Sequence, residues 1–462
     1  MQNIIKNEPH KLVIFINPPY AEHGNKRVIN DSTKVAKISV AQNYKTYIDY
    51  SKELGEAKRQ LFTQFFIRIY KEISNCTLAS FSTLKYINSQ NFAKFRETFQ
   101  AKFLKGFIVP ANTFDNVSGK FPIGFLVWNL GDKKDIKKCC VNVFNENNKR
   151  IGKKNFYAQD EFISAWLRKF YDKNSKIVAW LILPGVDMST QSGVYITNKP
   201  SQSDIKQHKL AQITLLNLTY FVVYYSVRHS IQHTWINHED QFLYPKNKWQ
   251  KDTDFQNDCL AFALFHNKNQ IKAKEGINHF IPFSESQVGA KEAFKSDFMV
   301  RFINGKLGKD DTAQSLRASK ASAASAYKGQ AQSKIHKSDS RNEQTLPFDK
   351  KEIQANTQSF IPTKPLEFSK EAQEVFSAGL ALWRYYHAQA KNSDKYLNDA
   401  SLYDIKEFFQ GRAQSTNGKK GKMNARSEDN HYNDLIAQLR ITLQTLADKI
   451  TPKIYEYEFL LE

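Results

Sequence analysis

The chain has 462 residues, with 67 Lys and Arg against 46 Asp and Glu for a net charge of +21, and 13% of its residues are aromatic. That length holds two or three domains with ample core, and the basic, ring-rich composition suits a nucleic-acid partner, whose phosphates attract Lys and Arg and whose bases offer stacking faces. Four cysteines without a CxxC pair exclude a disulfide framework and read as free thiols in a reducing cytoplasm, and the most apolar later window, 213–227, is interrupted by Thr214, Asn217 and Thr219 and falls short of a membrane span.

In chain order, the first organised stretch is Leu12-Val13-Ile14-Phe15-Ile16-Asn17-Pro18-Pro19-Tyr20. Its apolar run is rich in β-branched residues and too short for a helix. Residues 12–16 are therefore predicted to be a strand buried on both faces of a parallel sheet. Proline has no N–H to give to a ladder, so Asn17-Pro18-Pro19-Tyr20 falls in the loop past the strand's carboxyl end, where open α/β sheets bind ligands. Asn17 brings a side-chain carbonyl, and Pro18 and Pro19 bring backbone carbonyls on a segment with locked φ. Two converging acceptors can hold both hydrogens of an amino group, and Tyr20 offers a flat face for stacking. The bland alternative is a strand followed by a rigid Pro-Pro turn.

The polar segment 21–51, with Lys26, Arg27, Lys34 and Lys37, reads either as a surface loop or as a lid that touches phosphates. Leu54, Leu61, Phe65, Phe66, Ile69 and Ile73 recur at helical spacing and predict a helix over 54–73. A strand over 77–87, a helix over 91–103 and strands at 107–109 and 123–130 follow. Phe114, in the loop between the last two strands, reads as core packing or as a stacking face.

From residue 157 the pattern changes. It predicts a helix over 162–171, a buried strand over 177–183, a short strand at 194–197 and a buried helix within 213–227. His229 and His233 stand one helical turn apart, which permits a metal pair, but beside Trp235 and Asn237 and without cysteine they carry no metal assignment. Arg228, His233 and Asn237 read better as cationic or base-edge contacts, with a solvated turn as the alternative. Residues 310–345, rich in Ser, Ala, Lys and Gln, are predicted to be a mobile linker, because so little apolar surface cannot offset ordering entropy. Ser369 caps a helix, Ser401 a short helix through Phe409, and Ser427 a long final helix with the stripe Leu435, Leu439, Leu443, Leu446 and Ile450, stopped by Pro452. The basic loop 412–426 between them reads as a phosphate clamp or as a solvated charge run.

The stretch at 12–20 resembles the amino-group motif of adenine-specific DNA methyltransferases from restriction–modification systems. The resemblance continues through Arg59-Gln60-Leu61-Phe62-Thr63-Gln64-Phe65-Phe66, Phe121-Pro122-Ile123-Gly124-Phe125-Leu126-Val127-Trp128, Gly276-Ile277-Asn278-His279-Phe280-Ile281-Pro282-Phe283 and Leu382-Trp383-Arg384-Tyr385-Tyr386-His387. It is greatest to the C-terminal part of large restriction-associated methylases and touches nearly the whole chain. It implies an α/β fold. Residues 1–156 would be the C-terminal half of a Rossmann-like methyltransferase sheet, 157–309 a mixed α/β target-recognition region, 310–345 the linker and 346–462 a helical DNA-binding domain. The implied reaction is methyl transfer from S-adenosylmethionine to the exocyclic amine of adenine in double-stranded DNA. By the resemblance, Asn17 and Pro18 hold the target amine and Tyr20 stacks on the base, with Pro19 completing the set of catalytic candidates and Phe114 as a second stacking candidate. Candidates for DNA contact are Lys26, Arg27, Arg228, Asn237, Arg412, Lys419, Lys420, Lys422 and Arg426. Adenine's amine is a poor nucleophile, since its lone pair is delocalised. Acceptors off the ring plane favour a tetrahedral nitrogen and aim its lone pair at the methyl group, once the base has been extruded from the duplex.

The family's cofactor pocket is a Gly-rich turn after the first strand and an acidic residue closing the second. Only eleven residues precede Leu12, and Gly185, Gly193, Gly305 and Gly308 are not spaced as such a turn. S-adenosylmethionine is therefore expected to be held mainly by sequence outside this chain, in an N-terminal methyltransferase half or a separate subunit. Strand 12–16 would then present an unpaired apolar edge. A non-catalytic DNA-binding specificity partner, or a truncated remnant, is the alternative. Asn-Pro-Pro-Tyr also occurs in enzymes that methylate glutamine amides or ribosomal guanine, cytosine is a rival base, and no Pro-Asp…Glu-x-Lys nuclease signature is present.

Overall fold

Strand β1 (Val13–Ile16) lies parallel to β2 (Thr77–Thr83), with Val13 opposite Thr77 and Ile16 opposite Ser80. β3 (Lys102–Pro110) and β4 (Pro122–Asn129) form an antiparallel hairpin, and β4 also pairs antiparallel with β2. β5 (Lys138–Phe144) runs parallel to β3 and makes a second hairpin with β6 (Arg150–Tyr157). The result is a mixed six-stranded sheet in the order β1-β2-β4-β3-β5-β6. This computed structural model describes residues 7–19, 44–73, 75–115, 117, 119–172, 175–307, 361–414 and 421–462; Tyr20, Lys26, Arg27, the linker at 310–345, Lys419 and Lys420 lie outside them.

The two faces of this sheet differ. On one, Leu78, Leu126, Trp128 and Val141 meet Phe62, Phe66, Tyr86, Phe95 and Phe99, with Leu12, Ile14 and Ile16 packed against them. The cover comes from α1 (Lys45–Leu54), α2 (Leu61–Glu72) and helical turns at Lys85–Asn88 and Ala93–Thr98. Trp128 Nε1 donates to Tyr86 Oη at 3.1 Å inside this layer. The other face is a row of phenylalanines. Phe15 lies 5.7 Å from Phe125, Phe125 5.4 Å from Phe107, and Phe107 5.8 Å from Phe144. At its β1 end the row is open, Val13 being 64% and Phe15 65% exposed. The expectation of a strand buried on both faces is thus corrected: β1 has β2 as its one strand neighbour among the described residues, and half of its side chains face outward.

Other boundaries shift for local reasons. The helix predicted over 54–73 begins at Lys45, inside the stretch read as loop or lid, and breaks where Gly55 takes φ +55°. The strand predicted to reach residue 87 ends at Thr83, and the helix predicted over 91–103 is only Ala93–Thr98, since Phe103 belongs to β3 and packs on Trp128 at 5.4 Å. β5 and β6 have no counterpart among the predicted elements.

A second, three-stranded antiparallel sheet has β7 (Ile177–Leu183) between β8 (Tyr195–Thr197) and β9 (Lys209–Thr214). The apolar window 213–227 divides: its first two residues end β9, and most of the rest enters α3 (Leu218–Ser230). From Tyr220 to Arg228 every residue of α3 is buried, the pattern of a helix surrounded by protein. It packs with α4 (Thr253–Phe265) and α7 (Asn430–Glu456), and α5 (Lys370–Ala390) packs in turn on α4, on α7 and on α6 (Leu402–Gln410). Phe221, Phe262, Trp383, Tyr386, Leu439 and Phe459 belong to one core, so segments read as separate regions of the chain form a single body.

Ser369 Oγ accepts from Ala372 N at 3.2 Å, and Ser401 with Asp404 makes a capping box. The last helix departs from its predicted limits. Ser427 Oγ donates to Phe409 O, and it is Asp429 that caps Tyr432 N at 2.9 Å. Pro452 sits inside the helix, which continues to Glu456. The missing N–H removes one hydrogen bond, and buried Ile450 and Ile454 on either side hold the turn in place. No helix among the described residues is long and apolar enough to cross a membrane.

Candidate functional site

Parallel pairing brings the carboxyl ends of β1 and β2 to one end of the sheet. The antiparallel register carries the end of β3 and the start of β4 there too, Pro110 opposite Pro122 and Thr83 opposite Ile123. Asn17, Pro18 and Pro19 leave β1 at this rim, Asn17 and Pro19 exposed and Pro18 buried. Thr83 Oγ1, buried at the same end of β2, has no hydrogen-bond partner among the described residues. Phe114 meets Phe81 edge-on at 5.4 Å and belongs to the small apolar cluster of Val109, Ala111 and Ile123. That is the packing alternative of its two readings.

A loop of the second body docks beside this rim. Asn88 Nδ2 donates to Glu239 O at 2.6 Å, Phe121 lies 6.0 Å from the His238 ring, and Lys154 Nζ reaches Asp240 Oδ2 at 2.5 Å. His233 Nε2 and His238 Nδ1 share a hydrogen bond of 3.0 Å. Burial, then the neighbouring His233, pushes His238 down to about 4, so the imidazole is neutral at physiological pH. Burial pushes Glu239 up to about 7, with Lys85 pulling against it and Asp187 and Asp240 adding to it. None of this docking is visible in the sequence, where His229 and His233 are spaced to permit a metal pair and Arg228, His233 and Asn237 read as cationic or base-edge contacts. His229 and His233 have different surroundings. His229 is half-buried, with Nε2 2.9 Å from Val194 O, and among the described residues no group of three or more His, Cys, Asp or Glu is placed to hold a metal.

Two residues read as DNA contacts are structural. Arg228 is wholly buried. Its guanidinium donates to Gly185 O, Tyr224 Oη, Asp187 O and Thr190 Oγ1 at 2.8–3.2 Å and lies 4.7 Å over the Phe242 ring. Nothing of it faces a groove. Asn237 closes its own turn: Oδ1 accepts from Thr234 N at 2.7 Å and Nδ2 donates to Gln232 O at 2.9 Å. Arg412 is likewise engaged, by Glu407 at 2.7 Å, Gly421 O at 2.8 Å and Tyr403 Oη at 2.6 Å. It pins one end of the basic loop, where Ala413 N donates to Lys422 O at 2.9 Å. Lys422 and Arg426 are exposed.

No protein family matches the chain, and no curated protein does. Similarity to solved structures is faint. A modification subunit ascribed to a type I restriction enzyme of Vibrio vulnificus YJ016 is 9% identical over 29% of this chain and 28% of that one, with a TM-score of 0.19. The Type ISP restriction–modification enzyme LlaGI, in a nuclease-deletion mutant bound to a DNA substrate mimic, is 11% identical over 39% of this chain and 21% of that one, with a TM-score of 0.26. The DrdV–DNA complex is 11% identical over 47% and 26% of the two chains, with a TM-score of 0.21. The matched stretch is less than a third of each of these proteins, and likenesses this low carry no argument about what this chain does.

Proposed function

We propose that the chain is the base-binding and DNA-recognition part of an adenine-specific DNA methylase of restriction–modification type. One observation carries the reading: Asn17-Pro18-Pro19 leaves the carboxyl end of β1, beside parallel β2, where open α/β sheets take their ligands. In this reading the Asn17 side-chain carbonyl and the Pro18 backbone carbonyl accept the two hydrogens of adenine's amine. They draw the nitrogen toward tetrahedral geometry and fix the direction of its lone pair, which is positioning plus electrostatic stabilisation. Tyr20 stacks on the extruded base, and Lys422 and Arg426 meet backbone phosphates.

The described residues do not fit S-adenosylmethionine, which supplies the methyl group in such a reaction. β1 runs into Asn17-Pro18-Pro19 and β2 into Leu84-Lys85, neither of them a glycine turn nor an acidic terminus. The positive-φ glycines, Gly55, Gly152, Gly289, Gly305 and Gly411, stand elsewhere. The donor is therefore assigned to a further polypeptide segment or subunit that covers β1, and the exposed Val13 and Phe15 support this. The absence of a fitting turn also favours a second reading, a DNA-binding specificity partner without catalysis of its own.

Expression with its native flanking genes, in a host free of adenine methylation, tests both. N6-methyladenine should accumulate in host DNA, and Asn17→Ala should lower it by about a hundredfold or more. Full methylation by Asn17→Ala would overturn the first reading. DNA binding with no methyl transfer would select the second, and label in cytosine, RNA or protein would select one of the rival substrates.

A further inference from the structure

Thr83 ends β2 with its hydroxyl buried and without a hydrogen-bond partner among the described residues. A sheltered hydroxyl without a bond weakens the fold, and an arriving acceptor relieves it. Alternation along β2 turns Leu78 and Ser80 toward the helix-covered layer, and Phe81 and Thr83 toward the row of phenylalanines. The Phe81 ring lies 6.4 Å from Phe15, so this side of β2 is continuous with the outward side of β1.

β1 reaches the same place from the neighbouring strand. Phe15 stands opposite Ala79 and Ile16 opposite Ser80, so the parallel register carries Asn17 abreast of Phe81 and Pro19 abreast of Thr83. Exposed Phe15, half-buried Ile16, exposed Asn17 and buried Pro18 continue the strand's alternation and set Asn17 on the face of Phe15. Thr83 is therefore one strand across and two residues on from Asn17. A strand spacing of about 4.8 Å and a rise of about 3.3 Å per residue put the two backbones about 8 Å apart. An amine, a ring nitrogen flanking it and a hydrogen bond at each end fill such a gap. Thr83 as a residue is only half-buried, and a turn about χ1 exchanges its hydroxyl with its methyl group, which swings the donor to an arriving base.

We propose that Thr83 Oγ1 donates a hydrogen bond to a ring nitrogen of the extruded adenine, beside the amine. Two acceptors on the amine leave the ring free to turn about that end. A third contact fixes the ring and, with it, the direction of the amine's lone pair. The inference rests on the base-binding reading above and deepens it.

Two measurements test it. In the chain by itself, Thr83→Val keeps the shape and removes the hydroxyl, and should melt at or above the wild-type temperature. In the methylase obtained with its flanking genes, Thr83→Val should lower kcat/KM on duplex DNA about tenfold, and Thr83→Ser should keep most of the wild-type rate. Duplexes carrying 1-deazaadenine or 7-deazaadenine at the position methylated in host DNA identify the nitrogen. One of them should slow the wild type about tenfold and show no further loss in Thr83→Val. Full methylation by Thr83→Val, or the same loss on adenine and on both analogues, would overturn the contact and leave the base-binding reading standing. A melting temperature well below wild type would show the hydroxyl bonded within the fold and overturn the contact too. No methylation by the wild type with its flanking genes would overturn both.

Discussion

Lys154 Nζ on β6 lies 2.5 Å from Asp240 Oδ2 in the loop of the second body, with 15% of each side chain exposed. Burial lifts the Asp240 carboxyl above the usual range, and the ammonium beside it pulls back. Such a pair loses about as much in desolvation as it gains in attraction, yet breaking it from one side leaves a half-buried unpaired charge. Asp240→Asn should destabilise the protein by about 2–3 kcal/mol in urea unfolding, whereas Lys154→Met with Asp240→Leu should be nearly neutral. A double variant as unstable as the single one would show that shape, not charge, holds the join.

Glu239, 4% exposed and pushed up to about 7, gives a pH signature. Its folded pKa is above its unfolded one, so the folded state holds the extra proton. The stabilisation is complete below the ordinary carboxylate pKa and is lost as pH rises through about 7. Glu239→Gln should therefore be more stable than wild type at pH 8 by an amount on the order of 2 kcal/mol and should flatten the decline between pH 5 and 8. Identical pH profiles for the two proteins would refute the assignment.

Arg228 and Lys422 should separate stability from binding. Arg228→Ala deletes a wholly buried guanidinium with its four hydrogen bonds and leaves the buried Tyr224 hydroxyl without that partner, and should lose at least about 3 kcal/mol of unfolding free energy. Lys422→Gln with Arg426→Gln should leave unfolding unchanged while weakening DNA binding equally for all sequences and flattening its salt slope by about 1–2. A sequence-selective loss in the second variant would mean base contact.

Phe15 offers a test of the open sheet face. As it is 65% exposed, Phe15→Glu should cost little stability and should reduce self-association of the isolated chain, measured by light scattering. In the flanking-gene experiment the same variant should lose methylation, because the covering segment no longer seats. Retained methylation would dissociate that face from the partner.

The legible parts of the fold were those in which neighbours along the chain are neighbours in space. The apolar run at 12–16 ended by prolines marks β1 and its rim, and the Ser369 and Ser401 caps mark α5 and α6 by local hydrogen bonds. β5 was harder to see: Cys139, Val141 and Val143 do alternate with Lys138, Cys140 and Asn142, but a lysine-rich flank resembles solvated loop. Arg228 was misread because its acceptors at Gly185, Asp187 and Thr190 lie about forty residues earlier, and no one-dimensional pattern joins them. The docking of Glu239 and Asp240 on Asn88 and Lys154 was hidden for the same reason.

The shared core of α3, α4, α5 and α7 bears on how the protein is made. α3 leaves the ribosome with apolar residues on every side, while α7, which completes its cover, is synthesised about two hundred residues later. At roughly 5–20 residues per second that is a wait of tens of seconds or less. In that interval the six-stranded sheet can already assemble, whereas the nascent second body carries a sticky, half-wrapped helix. A chaperone dependence confined to translation, and absent once Phe459 has closed over Trp166 at 5.7 Å, is the natural outcome of that order.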